Sequence, residues 1–217
     1  MGTQQSLTDM EQRFAQLWQQ LLPTGTDSDY KTAWNALEEG YCEPWRQYHS
    51  ARHIAFCLRE FDQVKAQLEV PDEVEMALWF HDAVMDQQAD DNEARSADLF
   101  RQYSQGLFGE DFQHNVCDLI MATTHDGHQT GDAGFVCDID LAGLGLNWDS
   151  FLDDGIRLKG ESLKSTAEYS AEKLQFFRRL LERPHVYMTD SFRQRYENSA
   201  RDNIHRMMAL LESNLYC

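Results

Sequence analysis

Positive charge is scarce in this chain. It has 19 lysines and arginines against 37 aspartates and glutamates, a net charge of −18. A protein that tracks DNA or RNA needs a basic footprint, so no nucleic-acid polymer is expected as a partner. A small anion held by a metal and a few arginines remains compatible. Proline is also sparse, with 4 residues, and β-branched runs are few. Glu, Gln, Ala, Leu, Met and Arg are plentiful instead, which favours helix. The five cysteines (Cys42, Cys57, Cys117, Cys137 and Cys217) form no Cys-x-x-Cys pair, and their number is odd. A disulfide framework is therefore not expected; buried free thiols in a reducing compartment are. No apolar run approaches a membrane span, and the first residues lack a basic-then-apolar leader. The expectation is a cytoplasmic protein with no membrane partner.

Hydrophobic residues make up 42% of the chain and aromatics 12%, enough to fill a core. Their spacing is helical. Ser6-Leu7-Thr8-Asp9 reads as a capping box, and Leu7, Met10, Phe14, Leu17, Trp18 and Leu21 recur at threes and fours up to Pro23. Short helices are expected around Trp34, from Tyr48 to Leu68, and from Pro71 through Met85. Others are expected after Asp91-Asn92, around Val116–Thr123 and over Phe135–Leu146. The last three begin at Asp149, at Ser165 or Thr166, and at Thr189 or Asp190. The segment His125–Gly134 reads as loop. No repeat or linker interrupts the pattern, so residues 1–217 are expected to form one all-α domain of nine or ten helices.

The chemistry concentrates in Trp79-Phe80-His81-Asp82-Ala83-Val84-Met85-Asp86. A His-Asp pair ends an apolar run there, and if the stretch is helical Asp82 and Asp86 share a face. His53 likewise sits within an apolar helix, with His49 four residues earlier. The zinc-protease signature fails, because Ser50 rather than Glu follows His49. Later, Cys137-Asp138-Ile139-Asp140-Leu141 sets two carboxylates among apolar residues. A metal or an Arg partner is expected for at least one of them. Imidazoles with carboxylates suit a divalent ion such as Mn, Fe, Co, Ni or Zn. Single histidines are more often structural, which is the expectation for His114, His185 and His205.

The order His53, His81-Asp82, Asp140 resembles the H…HD…D pattern of the HD-domain superfamily of metal-dependent phosphohydrolases. Further residues are similar to one family of bacterial HD phosphohydrolases of this length. They include Tyr41, Pro44, Arg46, Tyr48-His49, Asp91-Asn92-Glu93, Arg95-Ser96-Ala97, His125, Asp138, Ile156-Arg157 and Ala200-Arg201 with Asn203. The likeness spans a core of about 41–203. It implies His53, His81, Asp82 and Asp140 as ligands of a divalent metal (Mn, Mg, Co, Ni, Fe or Zn). It further implies hydrolysis of a small phosphorylated metabolite, a nucleotide among the options. Asp86 and Glu93 are the base candidates; His49, His125, Arg46 and Arg157 are the candidates to bind phosphate. Met85 stands where relatives carry an acidic group or Tyr. Lys159-Gly160 and Ala171-Glu172 are further departures, so specificity is expected to differ from theirs. Two alternatives stay open: a di-iron HD-fold oxygenase, and a non-catalytic metal- or nucleotide-binding regulator. The sequence leaves the oligomeric state open, a homodimer among the options.

Overall fold

The computed structural model describes residues 6–26 and 28–213; Cys217, residue 27 of the expected 24–29 loop, and the first five residues lie outside them. Among the described residues there are ten α-helices, two 3-10 turns and no strand. In order they are α1 (Leu7–Leu21), α2 (Lys31–Tyr41), α3 (Ala51–Val64), α4 (Pro71–Phe80) and α5 (Asn92–Ser104). The second half holds α6 (Glu110–Ala122), α7 (Gly131–Asp140), α8 (Trp148–Glu161), α9 (Thr166–Glu182) and α10 (Asp190–Glu212). Among the described residues no helix is long and apolar enough to cross a membrane.

Local signals explain several boundaries. Ser6 and Asp9 form the expected capping box, and Ser165 with Glu168 forms a second. Each cap satisfies backbone N–H groups that the first turn leaves free, worth about 1 kcal/mol. Pro71 opens α4 at a position where its missing N–H costs nothing.

Three boundaries differ from expectation in ways that bear on function. α4 stops at Phe80, so His81 to Met85 form a turn rather than a helical face. Asp82 and Asp86 therefore do not share a helical side. α3 starts at Ala51, which leaves Tyr48 and His49 on the irregular segment before it. α7 starts within the expected loop, at Gly131, and ends at Asp140.

The core is aromatic and threads through α1, α2, α4 and α5. Phe14 packs on Trp18 and edge-on to Trp79, each at 5.5 Å between ring centroids. Phe80 meets Phe100 at 5.2 Å. Each fully buried ring contributes on the order of 1.5–3 kcal/mol from burial. α4 is buried from Val74 to Phe80, so the turn that follows it is anchored on a closely packed rod. That anchoring fixes where His81 and Asp82 can be.

Candidate metal centre

Four chain segments converge on one buried point. α3 brings His53, the turn after α4 brings His81 and Asp82, the end of α7 brings Asp140, and the loop after α6 brings His125. His81 Nδ1 lies 3.0 Å from the Leu78 carbonyl oxygen. With the proton on Nδ1, that bond orients the ring and leaves the Nε2 lone pair for a ligand.

The donor atoms crowd together. His81 Nε2 is 3.4 Å from His53 Nε2. Asp82 Oδ2 is 3.1 Å from His81 Nε2 and 3.5 Å from His53 Nε2. Asp140 Oδ1 is 3.1 Å from His53 Nε2 and 3.7 Å from His81 Nε2. Ligand bonds of about 2.1 Å put neighbouring donors about 3.0 Å apart in an octahedron and about 3.4 Å apart in a tetrahedron. The separations of 3.1, 3.1 and 3.4 Å fit the edges of such a shell, and those of 3.5 and 3.7 Å exceed the tetrahedral edge by up to about 0.3 Å. Asp82 Oδ2 is also buried without a hydrogen-bond partner. A buried carboxylate oxygen left in that state is costly, and a cation at the shared point resolves it.

Ionisation follows the same geometry. Burial alone would push the His81 pKa down, but the carboxylates of Asp82 and Asp140 outweigh it and hold it well above the ordinary histidine value. Burial alone would raise Asp82 and Asp140, yet the surrounding imidazoles hold both below the usual carboxylate range. The cluster is thus a place where positive charge is favoured.

His53, Cys57, His81 and Asp140 also lie within 4.8 Å of one another by their ligand atoms, and this buried group could hold a metal ion. Cys57 is one turn beyond His53, with Sγ 3.5 Å from His53 Nε2. A thiol at this place was not expected from the sequence, although its i+4 spacing to His53 is visible there. Between Cys57 and Asp82 as fourth donor, Asp82 is the stronger. It carries charge, its Oδ2 is orphaned, and it lines the adjoining cavity. Cys57 is fully buried, and burial pushes its thiol pKa well up.

The cavity beside the cluster has a volume of about 280 Å³. Tyr48, His49, Glu93, His125 and Asp154 join Asp82 and Asp140 on its polar wall. Glu93 is raised from its ordinary value, first by burial and then by the charges of Asp82 and Asp140. Nε2 of His125 is 2.8 Å from Asp140 Oδ2. Its backbone is left-handed, φ 57°, a strained state for a non-glycine residue. Arg183 Nη2 donates to the His125 carbonyl at 2.9 Å and holds it there. The Tyr48 ring stacks on His53 with centroids 4.8 Å apart.

Three expected site residues lie elsewhere. Asp86 is outside the cavity lining, with its side chain 47% exposed. Its oxygens accept from the Gln88 N–H and from Arg95, which lower its pKa. It shapes the turn instead of facing the cluster. Arg46 is buried but not as an anion clamp: it donates to the carbonyls of His49, Asp82 and Ala83 and pairs with Glu43. Arg157 lies outside the lining and pairs with Asp153 at 2.8 Å. Of the two neighbouring carboxylates on α7, Asp140 joins the cluster. Asp138 takes neither metal nor Arg; it accepts from the N–H groups of Met188 and Thr189 and from the Thr189 hydroxyl, each at 2.7 Å.

The sequence reading also missed Glu161. From the last turn of α8, its Oε1 accepts from the Tyr48 and His49 N–H groups, and its Oε2 meets His49 Nδ1 at 2.6 Å. Nothing local in the sequence links residues so far apart. No protein-family model, curated protein or solved structure matches the chain, so the geometry carries the functional reading.

Proposed function

We propose that the chain is a metal-dependent phosphohydrolase acting on a small phosphorylated metabolite. The observation that carries this reading is the set of five donor separations around the orphaned Asp82 Oδ2, opening onto a small-molecule cavity. His53, His81, Asp82 and Asp140 would hold a divalent ion. When bound, such an ion polarises a phosphoryl oxygen and makes water a stronger acid.

The remaining steps belong to the protein. Glu93, with its pKa raised, takes a proton from the attacking water as general base. His125, fixed through Asp140, orients a phosphoryl oxygen. His49 donates a proton to the leaving group. Burial alone would lower the His49 pKa, but Asp82 and Glu161 outweigh it and raise it above the ordinary histidine value, the direction a proton donor needs. The low-polarity side of the cavity excludes water from the rest of the substrate.

One observation favours a second reading, an enzyme with two metals. The two oxygens of Asp140 are split between His53 and His125, so the additional histidine could serve with Asp140 in holding a second metal. The di-iron oxygenase alternative rests on that feature.

The test is phosphate release by the purified chain from a panel of nucleotides and other phosphomonoesters, with Mg, Mn, Co, Ni, Fe or Zn supplied. Release that needs metal and vanishes in Asp82→Ala, with helical circular dichroism retained, is the expected result. No release with any metal, together with two irons per chain, would favour the oxygenase and remove this reading.

A further inference from the structure

α9 presents Tyr169, Lys173, Phe176 and Phe177 at i, i+4, i+7 and i+8, which is one face of a helix. All four line the same cavity as Asp82 and Asp140. Phe151 and Leu158 of α8 and Met207 of α10 continue that wall, so it is largely apolar. Among the described residues Lys173 is the only lysine or arginine in the lining, and so its one cationic group. Its ammonium lies 5.1 Å from the Phe176 ring centroid and 5.2 Å from that of Phe177.

A cation placed this way needs a partner. In a chain of net charge −18 most arginines near the site have one: Arg46, Arg52, Arg95 and Arg157 each pair with a carboxylate. Among the described residues no carboxylate pairs with Lys173. Two aromatic faces compensate only partly for lost hydration.

We propose that Lys173 is an anion anchor on the apolar wall of the cavity, so that the substrate is an elongated amphipathic phosphate with a second anionic group. Its phosphate sits at the His-Asp cluster, an alkyl or aryl body lies against α8–α10, and a distal carboxylate or second phosphate meets Lys173. The placement of the first phosphate rests on the phosphohydrolase reading; the anchor at Lys173 does not. Burial with no counter-charge lowers the Lys173 pKa to about 8, in line with a cation held ready for an incoming anion. Arg157 and Arg46 do not line the cavity, and Lys173 supplies a cation there instead. Lys173 directly follows Ala171-Glu172, where the sequence departs from the family it resembles.

Matched ligands test the anchor without any need for turnover. The full chain, as purified, is loaded with the neutral fluorophore N-phenyl-1-naphthylamine and titrated with decanoate, decyl phosphate or decanol. In the wild type at least one of the two anions should displace the dye at about tenfold lower concentration than decanol, the size of a single charge-assisted contact. Preference for decanoate or for decyl phosphate identifies the distal group as carboxylate or phosphate. Lys173→Met should lose that preference while binding decanol as before, and Lys173→Arg should keep it. Asp82→Ala should also keep it, which separates the anchor from the metal-based reading: a failed phosphatase screen leaves this result standing. Unchanged anion affinity in Lys173→Met, or equal loss of anion and decanol binding, would overturn the proposal.

Discussion

Glu161 Oε2 lies 2.6 Å from His49 Nδ1, joining residues 112 positions apart at the edge of the cavity. The same carboxylate caps the backbone N–H groups of Tyr48 and His49, so it positions both the ring and the segment that carries it. Glu161→Gln replaces one acceptor oxygen with an NH2 group and removes the charge. For an outer partner of this kind, kcat should fall about 10–100-fold with little change in KM. The basic limb of the pH–rate profile should move to lower pH as the His49 pKa falls, because His49 acts in its protonated form. Glu161→Asp should recover part of the loss. An unshifted pH profile would reduce Glu161 to a purely structural cap.

Gly40 and Arg46 hold the turn that carries His81 and Asp82 from behind. A Cβ at Gly40 would come within 2.7 Å of the Ala83 carbonyl oxygen, which belongs to backbone and cannot swing aside. That carbonyl and its Asp82 neighbour both accept from Arg46, at 3.0 and 2.6 Å. Gly40→Ala should therefore cost about 1–3 kcal/mol of stability through overpacking. Because the strain falls on the turn carrying Asp82, metal affinity should fall too, about tenfold. Chemical denaturation and metal titration of the same sample measure both effects. Loss of stability with unaltered metal affinity would show that the turn can yield without moving Asp82.

Asp138 offers a third test. Three donors converge on its carboxylate and tie α7 to the start of α10. Burial raises its pKa to about 6 despite those bonds, so it is ionised at pH 7.5. Asp138→Asn would turn an NH2 towards at least one of the donors. The expected loss is about 1–3 kcal/mol, read as a lower denaturation midpoint at pH 7.5. Because the folded pKa lies above the unfolded value, wild-type stability from this group grows as pH falls from about 6 towards 4, so the gap between wild type and the non-titrating variant should widen over that range.

These residues also mark how far the sequence could be read. The periodicity of Met10, Phe14, Leu17 and Trp18 locates α1 because one face of that helix is buried end to end. His53, His81, Asp82 and Asp140 were legible because buried polar residues stand out in apolar runs. Asp86 was misplaced because a helical continuation past Phe80 was assumed, and the chain turns there instead. Arg46 and Arg157 were misplaced because sequence shows a charge but not its partner. Glu161 and Lys173 were illegible for a related reason: α8 and α9 reach the cavity only through tertiary packing.

Metal binding should register in stability as well as in rate. If four donors converge only in the folded state, an ion at 100 times its Kd adds about 2.7 kcal/mol. For a chain of this length that corresponds to a rise in Tm of about 5–10 °C. Mn, Co, Ni or Zn added to chelator-treated protein should produce such a rise, and Asp82→Ala should abolish it. Cys57→Ser separates the two possible fourth donors, because it should leave the shift unchanged if Asp82 is the ligand. Loss of the shift in Cys57→Ser with retention in Asp82→Ala would reverse that assignment.

Lys173 makes the opposite prediction, a gain in stability on removal. Its folded pKa is lowered to about 8 by burial, below the value of a free lysine. The charged form is therefore less favourable in the folded protein than in the unfolded chain. That penalty is fully present below pH 8 and disappears as pH rises past about 10, where both states are neutral. Because the side chain keeps some exposure, solvent screening trims the penalty to about 1–2 kcal/mol. Lys173→Met should accordingly raise Tm at pH 7, and the advantage over wild type should shrink steadily between pH 8 and 10. Parallel melts across that range decide the point. A Lys173→Met protein that is less stable at pH 7 would mean the ammonium has a partner in the fold and is not waiting for one from a ligand.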